Sequence, residues 1–151
     1  MTSDVSFRLL KPEDELWEKL AAFAEACSWS AGKSLAREMR EGAFSGWETV
    51  IAALDGEEIC GFCNVSPKDC MPQLDYTPYV GYVFVDKAHR GRRVSERMIG
   101  FAADYLKSVG FGEVYLTSDH VNLYEKYGFT AIDRQPAYWG GMETIYRKAL
   151  E

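Results

Sequence analysis

Basic residues are the minority charge in this chain: 17 Lys and Arg stand against 23 Asp and Glu, for a formal charge of -6 and a sequence pI near 5.0. That balance argues against a broad nucleic-acid footprint, which needs a basic face to displace counterions from phosphates. An acidic surface instead suits a cationic partner. Cysteine is sparse, at 27, 60, 63 and 70, and no histidines stand at zinc-finger spacing from it, so we expect reduced thiols and no metal site. No apolar run approaches the roughly 18 residues of a membrane span. The start, Met1-Thr2-Ser3-Asp4, lacks the basic-then-apolar arrangement of a secretory signal. These absences lead us to expect a soluble, cytoplasmic protein that engages neither membrane nor nucleic acid.

What is present suffices for one core. At 151 residues, 47% apolar and 14% aromatic, the chain is long enough for one well-packed domain over 1–151 and short for two. Residues 5 to 10 alternate as a strand. Pro12 with Glu13, Asp14 and Glu15 marks a helix start, and Leu16, Trp17, Leu20, Phe23 and Ala24 recur at helical spacing, predicting a helix over 12–26. A second short helix is expected over 34–41, closed by Gly42. Residues 49–54 and 57–65 read as a hairpin about Asp55-Gly56. Cys60 and Cys63 lie in its second strand, where residues three apart point to opposite faces, so core packing is expected of both.

Residues 67–78 hold three prolines and read as a loop, and 79–85 as an apolar strand. From about Arg93 the apolar period changes to 3.6 through Val94, Met98, Phe101, Ala102, Tyr105 and Val109, ending at Gly110. A short strand over 114–117, a short helix over 119–127 capped by Ser118 or Asp119, and closing strands over 129–133 and 142–150 complete the reading.

The strand-to-helix junction Arg90-Gly91-Arg92-Arg93-Val94-Ser95 carries the chemistry. A helix start offers unpaired N–H groups and a partial positive charge, so a tight turn there can wrap a diphosphate, with Arg90, Arg92 and Arg93 adding charge and Gly91 allowing close approach. The segment resembles the central motif of the GCN5-related N-acetyltransferase (GNAT) superfamily, Gln/Arg-x-x-Gly-x-Gly/Ala. Arg90 matches the first position, while Arg93 and Ser95 replace the two small residues. Leu123-Tyr124-Glu125-Lys126-Tyr127-Gly128-Phe129 is similar to the family's second block, Leu-Tyr-x-x-x-Gly-Phe, in the expected order.

The resemblance implies an α+β fold, a central mixed, mostly antiparallel twisted sheet of about six to seven strands flanked by about four helices. It implies an acyl-CoA-dependent N-acetyltransferase that moves an acetyl group from acetyl-CoA to a small-molecule or peptide amine, or a non-catalytic acyl-CoA-sensing module on the same scaffold. A homodimer is compatible with it. By analogy with the family, Val83, Phe84 and Val85 contact the pantetheine arm, and the amides of Gly91, Arg92, Arg93, Val94, Ser95 and Glu96 hold the pyrophosphate. Tyr124 then protonates the leaving thiolate. His120, one helical turn from Tyr124, has the pKa a general base requires but equally fits a capping residue, with Asp119 as runner-up. His89 adjoins the phosphate turn and reads as a phosphate-side or surface residue. The acceptor pocket draws on segments containing Trp29, Trp47, Tyr76, Tyr79, Tyr82, Tyr138 and Trp139, most of which serve packing, with Glu143 and Asp75 as ammonium partners.

Overall fold

The computed structural model describes residues 5–69, 74–119 and 122–150. The chain runs β1 (Val5–Leu9), α1 (Leu16–Ala26), α2 (Ala31–Arg40), β2 (Thr49–Asp55), β3 (Glu58–Ser66), β4 (Tyr79–Val85), α3 (Val94–Val109), β5 (Glu113–Ser118), β6 (Thr130–Pro136) and β7 (Met142–Ala149). One seven-stranded sheet has the order β1-β2-β3-β4-β5-β7-β6, antiparallel at every pair except the parallel β4–β5. The expected α+β class and mixed sheet are therefore present, with three α-helices rather than about four among the described residues.

The helices cover opposite faces. The stripe Trp17, Leu20, Ala21 and Ala24 of α1 and Leu35, Ala36 and Met39 of α2 pack on Val50, Ala52, Phe62 and Phe84. Val94, Met98, Ala102 and Leu106 of α3 pack on Ile51, Ala53, Val65 and Val80 across the sheet. Each fully buried Leu contributes about 1.5–3 kcal/mol, so these two stripes fix which faces the helices cover.

Helix α2 begins at Ala31, not 34, and β6 runs to Pro136, not 133. Two further boundaries differ from the sequence reading for identifiable reasons. Helix α1 starts at Leu16, not 12, because the Asp14 carboxylate accepts the Leu16 N–H at 3.1 Å and also pairs with Arg8 at 3.0 Å, leaving residues 12–15 as turns. Of the helix expected over 119–127, the described residues form a single 3-10 turn, Tyr124–Tyr127, and Ser118 ends β5 instead of capping it. A bulge changes the cysteines as well. The β2–β3 register shifts between Ala53 and Leu54, which resets the alternation of β3, so Cys60 and Cys63 enter the same core instead of opposite faces. Both are fully buried, and burial pushes the Cys60 thiol up to about 11 and the Cys63 thiol higher still, so both pack as unreactive thiols.

Candidate active site

Strands β4 and β5 share one registered pair, Tyr79 with Tyr115, reinforced by the Tyr115 N–H donating to the Pro78 carbonyl at 2.9 Å. Beyond it no pair joins them among the described residues, and a cleft of about 1400 Å³ opens between them. On its other edge β4 carries a bulge. Phe62 pairs with Phe84 and Asn64 with Gly81, so Tyr82 and Val83 together oppose Cys63, and Tyr82 takes a φ of 48°. The bulge lets both Gly81 and Tyr82 face the α1–α2 side, while Val83, Phe84 and Val85 run along the cleft.

The turn leaving β4 is built by local interactions. Asp86 accepts the His89 N–H at 3.1 Å and meets His89 Nδ1 at 2.5 Å, while His89 Nε2 lies 2.9 Å from Asp55 at the end of β2. Both imidazole partners are carboxylate acceptors, so both ring nitrogens carry protons, and hydrogen bonds to Asp55 and then Asp86 raise the His89 pKa. This residue is a buried clamp joining the turn to the β2–β3 hairpin, not a surface histidine, although it also borders the cleft. Arg90 folds back on its strand, its Nε donating to the Val85 carbonyl at 2.8 Å and its guanidinium lying 5.6 Å from the centre of Phe84.

Gly91 has a φ of 80°, and Arg93 sits at φ 60°, ψ 24° immediately before α3. The residue replacing the motif glycine therefore keeps the left-handed conformation that favours glycine. No side chain caps α3, so its first amides remain available to an anion. Of the residues expected to hold a diphosphate or pantetheine, Val83, Phe84, Val85, Arg90, Gly91, Arg93, Val94, Ser95 and Glu96 line the cleft and Arg92 does not. Ser95 Oγ is 3.0 Å from the Tyr127 hydroxyl, which ties α3 to the 3-10 turn.

Tyr124 reaches the cleft from that turn with 8% of its surface exposed, its ring between Tyr127 and Tyr146 at 5.6 Å each. Burial is the main cause that pushes its hydroxyl up to about 12, partly offset by a hydrogen bond with the Ser118 side chain. His120 lies outside the described residues. Asp119 lines the cleft.

At the α1–α2 end, Trp29, Tyr82, Tyr138, Trp139 and Glu143 line the cleft as expected. Trp47, Tyr76, Tyr79 and Asp75 do not. Trp47 packs edge-on to Phe111 at 4.9 Å, Tyr76 and Tyr79 pack on Tyr115, and Asp75 is exposed elsewhere. Polar residues that sequence reasoning did not single out line the cleft as well, among them Glu38, Asn64 and Asp69. These three come from α2, β3 and the following loop, and only the folded sheet brings them together.

A family model for the acetyltransferase (GNAT) family matches residues 13–129. The chain belongs to the GNAT family. No curated protein matches it closely by sequence. Solved GNAT structures share its fold at low identity. A GNAT family N-acetyltransferase from Escherichia coli in complex with CoA is 21% identical, with a TM-score of 0.71 over 100% of this chain and 84% of that one. The aminoglycoside 6'-N-acetyltransferase of Enterococcus faecium is 16% identical, with a TM-score of 0.74 over 97% of each chain. Among the described residues no group could hold a metal ion, and no helix is long and apolar enough to cross a membrane.

Proposed function

We propose that this GNAT protein transfers the acetyl group of acetyl-CoA to a primary amine of a small molecule by direct attack on the thioester. The observation that supports this reading most is the convergence on one cleft of an uncapped helix start, a bulged strand with one edge unpaired beyond Tyr79, and a buried tyrosine. The amides of Gly91 through Glu96 hold the pyrophosphate, and the β4 edge at Val83, Phe84 and Val85 receives the pantetheine arm. The family's CoA-bound members and the aminoglycoside acetyltransferases among its structural neighbours favour a CoA thioester and a small-molecule amine.

In the reaction the neutral amine nitrogen bonds to the acyl carbon, the C–S bond breaks, and the proton lost by nitrogen balances the proton gained by sulfur. Tyr124 serves chiefly as a hydrogen-bond donor to the departing sulfur. Burial raises the Tyr124 pKa and keeps the hydroxyl protonated as a donor, and a charge-assisted hydrogen bond from it stabilises the thiolate as the C–S bond breaks. Tyr124→Phe is expected to lower kcat by about 100-fold in a thiol-release assay while leaving the CoA Kd unchanged. Unaltered kcat in that variant contradicts the assigned role, and CoA binding with no turnover on any amine favours a sensing module instead.

A further inference from the structure

Resting on the acetyl-transfer reading, we infer that Glu38, Asn64 and Asp69 form a receptor for a second, unreacting ammonium group, so the acceptor is a dication or polycation. The Tyr82 hydroxyl donates to Glu38 Oε2 at 2.6 Å, which fixes the carboxylate of α2 over the cleft. Glu38 enters no ion pair among the described residues. Lys68, a cation on the same wall, donates its ammonium to the Leu74 carbonyl.

The second observation is an orphaned acceptor. Asn64 is 3% exposed, and its Oδ1 is buried without a hydrogen-bond partner. An unmet buried acceptor costs about 1–3 kcal/mol, so a donor arriving with a ligand recovers free energy there. That oxygen lies hard against Gly81 on the cleft wall: a Cβ on Gly81 would come within 2.8 Å of Asn64 Oδ1 and 3.1 Å of Asp69 Oδ2, and all three residues line the cleft. Two oxygens thus face one space. Trp29, 6.2 Å from Tyr82 and stacked 6.3 Å from Phe84, forms an aromatic wall beside it.

An N–H-rich cation answers all of these groups. The amine that attacks the thioester must be neutral, however, and neighbouring carboxylates raise an ammonium pKa and hold it protonated. A cluster of acids is therefore poorly suited to the reacting nitrogen and well suited to a companion that stays charged.

The test titrates spermidine and neamine, with butylamine and cyclohexylamine as monocations, into the CoA-bound protein by calorimetry, and runs the same amines in the thiol-release assay. At least one polycation is expected to bind about tenfold or more tightly than either monoamine, and E38Q or N64L to remove that advantage while CoA affinity holds. Equal binding of polycations and monocations, or an advantage that survives both substitutions, overturns the inference. Selective polycation binding without thiol release supports the receptor and removes acetyl transfer, so the two failures are distinguishable.

Discussion

The two ends of the cleft are made differently. The end at Arg90 to Glu96 is one continuous segment whose shape comes from neighbours in sequence: the Asp86 cap, the Arg90 return to Val85, two left-handed residues and an uncapped helix. The end at Glu38, Asn64 and Asp69 is assembled from three elements by sheet pairing and helix packing. In the proposed reading the first offers backbone N–H groups to an anion, and the second offers side-chain oxygens to a cation. A local motif can thus keep its geometry while its residues change, whereas a composite pocket depends on which side chains the fold delivers.

Substitutions at each end should separate the two activities. Among substitutions at the two ends, the largest effect is expected from Gly81→Ala, whose new Cβ would press on Asn64 Oδ1 and Asp69 Oδ2 and displace them. We expect acceptor kcat/KM to fall about 30-fold with the CoA Kd unchanged, as steady-state kinetics beside calorimetry would show. Equal losses at both ends would break the comparison. Gly91→Val places a branched side chain at a φ of 80°, a strain of about 1–2 kcal/mol that the free turn relieves by opening. The CoA Kd should rise about tenfold, and acceptor affinity in the CoA-saturated protein should not move.

A smaller effect belongs to the His89 clamp. Because its folded-state pKa is raised, its contribution to stability is complete below the unfolded value of about 6.5 and is lost as pH rises through the higher folded value. Thermal melts across that window should show a loss in the wild type that His89→Gln lacks. The smallest effect is Arg93→Gly. It relieves left-handed strain of about 1 kcal/mol but adds a comparable backbone entropy to the unfolded chain, so denaturant titrations should agree with wild type within about 0.5 kcal/mol.

This asymmetry governed what could be read from the sequence. The strand, the turn and α3 were legible because a change of period from 2 to 3.6 and a glycine beside three arginines all lie within some twenty residues. Even the replaced motif glycine misled only about residue type, since Arg93 adopts the glycine conformation. Glu38 and Asn64 were not legible. Nothing near Glu38 in α2 announces that its carboxylate meets Tyr82, 44 residues away. The β3 and β4 bulges likewise shifted side chains between faces in a way strict alternation does not foresee, moving Cys60 and aiming Gly81 and Tyr82 together. Aromatics were the least informative, because Trp47, Tyr76 and Tyr79 pack as well in a core as they would around an amine.

The central claim is that backbone amides at the start of α3 hold a pyrophosphate, and a calorimetric titration with CoA, dephospho-CoA and pantetheine addresses it directly. CoA and dephospho-CoA should bind within about tenfold of each other, and pantetheine, which lacks the diphosphate, about 100-fold more weakly. Pantetheine binding as tightly as CoA, or no binding by any of the three, would contradict the account.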